Sequence, residues 1–338
     1  MSVGLDIGSK TIKMVELARD KAGWKLRASG VIGYKGVTPE RMKTEKELAP
    51  LAEAIKKLHK ETKISSKETT VALAEAQVYT RTIKFPLLTD AEVASAVRWE
   101  AEQYIPIPLD EAVVQHQILE KREDTSPPEV LVLLVAAPKI LVEKYQKLLQ
   151  LAGLTVIAVE TQLMALVRSL APEDSTALIV DFGARATNIA VASNGQLKFS
   201  RSIATAGEAF TRALSQSLGV EAKQAEEYKR AYGLSVGQLE GKVKVALEPI
   251  FRLVAEEMRK AIQYYQAEEK GETPKSIILT GGTSGMPEAV SVLTKLLDLE
   301  VIVGNPFSKV NVDPEAAKTL SGYAPLYSIA VGLAMRGD

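Results

Sequence analysis

With 338 residues, 46% of them hydrophobic and 25% charged, the chain is too long for one small domain and has the material for two or more well-cored lobes. Its 42 basic residues balance 42 acidic ones, which argues against a broad nucleic-acid footprint. Cysteine is absent, which excludes disulfides, thiolate metal sites and cysteine nucleophiles, and the two histidines, His59 and His116, lack metal-ligand spacing.

The opening MSVGLDIGSK is strand-like from its second residue and has no basic segment leading into an apolar core, so it does not read as a signal peptide. Residues 3–17, VGLDIGSKTIKMVEL, read as strand, tight turn, strand, with Asp6 and Gly8 at the turn. Helical periodicity follows over 45–62 through Leu48, Leu51, Ile55 and Leu58. Residues 69–85 alternate as a single strand that runs into Pro86. Thr89 precedes a helix to about Tyr104, with Asp90 and Glu92 in its first turn where they favour the helix dipole. Pro106 and Pro108 end it. Residues 121–129, KREDTSPPE, form a polar loop between two strands. The apolar run 130–137 fits a buried strand and is far shorter than the roughly 20 residues a membrane helix needs. A helix over 140–152 closes at Gly153. The range 65–158 thus reads as a compact α+β insertion.

The second half echoes the first. Residues 178–192, LIVDFGARATNIAVA, repeat the opening hairpin, with Asp181 and Gly183 standing 175 residues after Asp6 and Gly8. Two such hairpins at half-chain spacing indicate an α/β fold of two related, facing lobes. The first lobe is expected over 1–64, with 159–176 and the terminal 323–338. The second is expected over 177–322, with a helical subdomain at about 207–272. Helices are expected at about 207–218, 221–232 and 235–270, a buried strand at 276–279, a strand at 299–303, and a small, apolar last helix from about Tyr327 packed on the first lobe. The C-terminal LAMRGD has no amphipathic tail or lipidation box, so membrane association is expected to go through a partner.

The turns carry the chemistry. In Asp6-Ile7-Gly8-Ser9-Lys10-Thr11 the glycine lets backbone N–H groups approach phosphate oxygens, and the aspartate can accept from water in a Mg²⁺ shell. Asp181, Gly183, Arg185 and Thr187 offer a comparable set from the opposite lobe. A third turn, Thr280-Gly281-Gly282-Thr283-Ser284, follows a buried strand and opens a helix, which suits close approach by a base or an α-phosphate. Glu226 and Lys229 share one helix face, either as a solvated ion pair or as ribose ligands.

Asp6-x-Gly8, Asp181-x-Gly183, Thr280-Gly281-Gly282 and Gly332-Leu333-Ala334 together resemble the nucleotide cleft of the actin, Hsp70 and sugar-kinase superfamily. Residues 79–86, YTRTIKFP, and 100–108, EAEQYIPIP, narrow the resemblance to the PilM family of type IV pilus assembly. Glu160, Gly207, Glu208, Thr211, Ala225, Glu226 and Lys229 fit a pattern that family shares with the division protein FtsA. The resemblance implies an actin-like, ribonuclease H-like fold that binds ATP and Mg²⁺. Asp6, Gly8, Ser9, Lys10, Thr11, Asp181, Gly183, Arg185 and Thr187 would surround the phosphates and metal. Glu226 and Lys229 would meet the ribose or base edge and Gly282 the adenosine side, Gly207, Gly281 and Thr283 would also contact the nucleotide, and Glu160 would orient the attacking water. Arg185 and Ala186 depart from the small or hydroxylated residues usual at their positions.

By the same resemblance the chain is an adaptor beneath the inner membrane that binds the N-terminal cytoplasmic tail of a bitopic PilN-like protein, with Tyr79, Phe85 and Leu87 lining the groove. The alternatives are an actin-like ATPase with slow hydrolysis, an FtsA-like self-associating filament protein, and the cytoplasmic component of type II secretion. The absent C-terminal membrane helix weighs against FtsA. No aspartate with a flanking polar constellation supplies a sugar kinase's base.

Overall fold

The computed structural model describes residues 1–268 and 271–336. The chain opens with β1 (Ser2–Ile7), β2 (Thr11–Asp20) and β3 (Gly23–Gly33), then α1 (Glu45–Glu61) and β4 (Glu68–Leu73). Next come β5 (Tyr79–Pro86), α2 (Asp90–Tyr104), β6 (Ala112–Arg122), β7 (Glu129–Pro138), α3 (Lys139–Leu151), β8 (Thr155–Thr161) and α4 (Gln162–Leu170). The second half contains β9 (Thr176–Phe182), β10 (Thr187–Ser193), β11 (Gln196–Ile203), α5 (Gly207–Leu218), α6 (Ala222–Tyr232) and α7 (Lys242–Glu268). It ends with β12 (Ser276–Thr280), α8 (Ala289–Leu297), β13 (Glu300–Val303), β14 (Val310–Asn311), α9 (Pro314–Leu320) and α10 (Ser328–Ala334).

Each lobe is built on a sheet whose central strand is covered on both faces. In the first lobe the order is β14-β3-β2-β1-β4-β8, and in the second β11-β10-β9-β12-β13. β1 and β9 are therefore buried throughout and read as near-continuous apolar runs. The period of two along a strand then sorts their side chains. Val3, Leu5 and Ile7 pack outward under α1 and α3, and Leu178, Val180 and Phe182 pack outward against α5 and α7. Phe182 is locked there between Phe210 and Phe251, with ring centroids at 5.7 and 6.1 Å. Asp6 and Asp181, one residue out of phase, consequently face the inside, where α4 and α10 fill the space between the sheets.

α10 lies so close that a Cβ on Gly4 would stand 1.9 Å from the Ala330 carbonyl oxygen, and one on Gly332 would stand 1.9 Å from that of Ala165. Only glycine permits either approach.

A third sheet, β5-β7-β6, carries α2 on one face through Val93, Val97 and Ala101 over Ile83, Phe85, Val130 and Val132. A capping box of Thr89 and Glu92 fixes the start of α2. The other face, through Leu131 and Leu133, joins the core formed by α4 and β10.

Three expectations differ from the structure. The alternating run 69–85 is two strands in two sheets, β4 and β5, separated by a 3-10 turn at Glu75–Gln77. Alternation continues across the break and so conceals it. Helix α7 begins at Lys242 rather than 235, because Gly237, Leu239, Glu240 and Gly241 all adopt positive φ, which no α-helix accommodates. Within the range 65–158, β4 and β8 pair in the large first sheet, and the separate three-stranded sheet spans 79–138.

A cleft between two matched hairpins as candidate functional site

The β1–β2 and β9–β10 hairpins match residue for residue. Asp6 pairs across its ladder with Lys13, and Asp181 pairs with Asn188, seven residues on in each case. Each turn is closed by the same hydrogen bond, from Gly8 N to Thr11 O at 3.0 Å and from Gly183 N to Ala186 O at 3.1 Å. Space demands glycine at Gly183 and is tight at Gly8. A Cβ on Gly183 would stand 2.7 Å from the Ala186 carbonyl oxygen, and one on Gly8 would stand 3.0 Å from both Lys13 Nζ and Thr11 O.

On the cleft floor, Lys13 Nζ donates to Asp6 Oδ2 at 2.7 Å, both groups being buried. Asp6 Oδ1 is buried without any partner. Asn188 Nδ2 donates to Asp181 Oδ2 at 3.4 Å and to Gln162 Oε1 at 3.3 Å. Burial first, and the negative charge of Asp6 second, push the Asp181 carboxyl up to about 6 against the pull of Lys13 and Asn188. Gly281 has φ +85° and leaves the room that Asp181 occupies, since a Cβ there would lie 2.3 Å from Asp181 Oδ1.

The second lobe's wall is equally close-set. Gly183 O accepts from Gly207 N at 3.1 Å and from Thr283 Oγ1 at 3.1 Å, so the second turn, the start of α5 and the third turn share one atom. Lys229 Nζ donates to Glu226 Oε2 at 2.7 Å and to Gly207 O and Thr211 Oγ1 at 3.0 Å. Burial alone would raise the Glu226 carboxyl, but hydrogen bonds from Lys229, Thr211 and Arg230 outweigh it and hold it at about 2. Desolvation lowers the Lys229 ammonium despite that partner. Gly282 lies beside Leu326.

The remaining candidates divide. Ser9 and Thr11 are half-buried and Lys10 is exposed. Lys10 Nζ and Arg185 Nε lie 3.8 and 3.4 Å from Glu208 Oε1. Thr187 is fully buried and its hydroxyl donates to Thr205 O at 2.7 Å, which braces the approach to α5. Glu160 is held by two arginines: Arg168 grips both its oxygens at 2.7 and 2.8 Å, and Arg336 takes Oε2 at 2.7 Å, so it ties β8 to α4 and to the segment after α10. Of the three groove residues, Tyr79 and Leu87 are exposed, whereas Phe85 sits in the core beneath α2.

Lys13, Asn188 and Gln162 stand beside the two aspartates and were not singled out in the sequence, whereas Glu208 was noted only within the pattern shared with FtsA. Counting ladder partners across each four-residue turn would have found Lys13 and Asn188 opposite the aspartates.

Paired lobes, each presenting an aspartate and a glycine turn to a shared cleft, define an actin-like protein. The chain belongs to the type IV pilus assembly protein PilM family, whose model it matches over residues 4–338. A solved PilM–PilN type IV pilus biogenesis complex superimposes with a TM-score of 0.84 at 28% identity, covering 99% of this chain and 98% of that one. The cell division protein FtsA of Pseudomonas aeruginosa is 26% identical over 278 residues, 70% of this chain and 64% of the relative, so the match spans under two thirds of that protein. MreB5 of Spiroplasma citri bound to AMPPNP shares the fold, with a TM-score of 0.57 at 12% identity over 98% of this chain and 94% of its own. Among the described residues no helix is long and apolar enough to cross a membrane.

Proposed function

We propose that the chain binds ATP with Mg²⁺ between its lobes and acts as a cytoplasmic adaptor of pilus assembly, docking the N-terminal tail of a PilN-like membrane protein. The observation that carries the nucleotide reading is the buried, unpartnered Asp6 Oδ1, set near the Asp181 carboxylate. Buried carboxylate oxygens are rarely left without a partner, and two neighbouring carboxylates favour a cation. Asp6 and Asp181 would hold Mg²⁺ through its water shell, and the bound metal would neutralise phosphate charge. The Gly8 and Gly183 turns would present backbone to the phosphates, while Glu226 and Lys229 would meet the ribose. With Glu160 engaged by two arginines, the reading favours ATP as a ligand that organises the lobes.

The partner reading draws on the fold's likeness to the PilM–PilN complex. A groove of about 430 Å³ runs between β5 and β11, lined by Tyr79, Arg81, Tyr104, Phe199, Arg201 and Tyr264. Both strands are edges of their sheets, and edges are where an extended peptide adds. Thr80 Oγ1, on the groove wall, is buried without a partner.

The test is calorimetric titration with ATP-Mg²⁺ and with a synthetic peptide of the tail. Wild type is expected to bind both, and the Asp6→Ala/Asp181→Ala variant to bind only the peptide. Wild type that binds no ATP removes the nucleotide reading, and one that binds ATP but no peptide removes the adaptor reading alone.

A further inference from the structure

Lys10 and Arg185 occupy the same place in the two repeats, 175 residues apart, and each is the single cation of its four-residue turn. Both converge on one atom. Lys10 Nζ approaches Glu208 Oε1 from the first lobe at 3.8 Å, and Arg185 Nε approaches it from the second at 3.4 Å. The backbone around Glu208 is fixed: its N–H donates to Ala184 O at 2.8 Å, and the N–H of Gly207 donates to Gly183 O at 3.1 Å. The carboxylate is therefore tethered to the mouth of the second turn. The three side chains are between 37% and 48% exposed, so the pairs are weak and exchangeable.

We propose that Glu208 is an internal competitor for the terminal phosphate of the nucleotide and sets the cleft's preference among tri-, di- and monophosphates. The proposal rests on the nucleotide reading above. A terminal phosphate carries more charge than a carboxylate and offers three acceptor oxygens, so it can draw both cations away from Glu208. A nucleotide too short to reach Lys10 and Arg185 leaves those pairs intact and gains nothing from them. The carboxylate, once displaced, still stands beside the phosphate as a like charge and limits affinity. Arg185, unusual at its position in such a turn, thereby acquires a role as the second arm of the phosphate site, with Glu208 as its counterweight.

The experiment measures the affinities of ATP, ADP and AMP, each with Mg²⁺, for wild type, Glu208→Gln, Arg185→Gln and the double variant. Glu208→Gln is expected to tighten ATP roughly five- to tenfold and ADP about two- to threefold, with AMP unchanged, as removal of one nearby like charge predicts. Arg185→Gln is expected to weaken ATP, and the gain from Glu208→Gln is expected to shrink in its presence, because the groups share one network. ATP binding by Glu208→Gln is also expected to fall more steeply with salt, since the mouth is more positive.

Weaker ATP binding by Glu208→Gln overturns the proposal and makes Glu208 a ligand of the bound nucleotide. Equal tightening of all three nucleotides also overturns it, leaving only a general field effect. If wild type binds ATP and Glu208→Gln binds it identically, the competitor role falls while the nucleotide reading stands. If neither protein binds any of the three, the nucleotide reading itself falls.

Discussion

Glu75 lies where the first lobe meets the second, fully buried, with its Oε2 accepting from Leu163 N at 3.3 Å. Burial pushes its carboxyl up to about 7, and the Leu163 amide and the hydroxyls of Thr161 and Ser200 only partly oppose this. The folded value exceeds the usual 4.5, so the stability that protonation supplies is complete below about 4.5 and is lost as pH rises through about 7. Glu75→Gln keeps the neutral shape. Denaturant unfolding at pH 5 and pH 8 is expected to show wild type losing on the order of 2–3 kcal/mol more than the variant between those conditions. Equal losses would remove Glu75 as the cause. Glu160 supports a different expectation. Replacing it with glutamine weakens its grip on Arg168 and Arg336, and because both arginines reach solvent the cost is discounted to about 1–3 kcal/mol. ATP affinity is expected to be unchanged, and a large change would restore Glu160 to the cleft.

At the scale of elements, the two glycine contacts around α10 are the most exacting packing in the first lobe. Gly332→Ala places a methyl carbon against the Ala165 carbonyl, and neither backbone can move without displacing α4 or α10. The expected cost is about 1–3 kcal/mol or more, read as a lower unfolding midpoint, whereas Gly33→Ala, with no atom within 4 Å of its Cβ, serves as the neutral control. Elements with a strong local signature were legible in the sequence. The paired hairpins, α1, α2 with its Thr89 cap, and the strand-to-turn passage at Thr280 follow from periodicity and punctuation. The split of 69–85 and the late start of α7 were hidden, because alternation and helical spacing persist through a break that only backbone geometry reveals. The site was legible wherever a glycine and an aspartate mark a turn. Lys13, Asn188 and Gln162 carry no local mark and become visible only when ladder register is known. Glu160, placed by resemblance alone, lies within β8, and nothing in its sequence neighbourhood announces the two arginines that hold it.

For the molecule as a whole, three features share one axis of duplication. Aspartate, turn glycine and turn cation each recur after 175 residues; the charge of Asp6 acts on Asp181, and the two turn cations meet at Glu208 Oε1. One ligand held by both turns would therefore couple the lobes, and stabilisation by ATP-Mg²⁺ is expected to follow its concentration as mass action requires. A thermal midpoint that does not move up with saturating ATP-Mg²⁺ would contradict that coupling.

The close seat of α10 also bears on how the chain is made. The outward face of β1 can fill as soon as α1 and α3 exist, and the second lobe's helical core lies wholly within 178–301. The inward face of β1 waits for α10, to which it is bound through Gly4 and through the Ser2 hydroxyl on the Ala334 carbonyl. At about 5–20 residues per second of synthesis, the first strand spends roughly 15–70 seconds with that face uncovered. The lobe that begins first is thus the lobe that finishes last, and a nascent chain halted before α10 presents the ribosome-side machinery with an open β1.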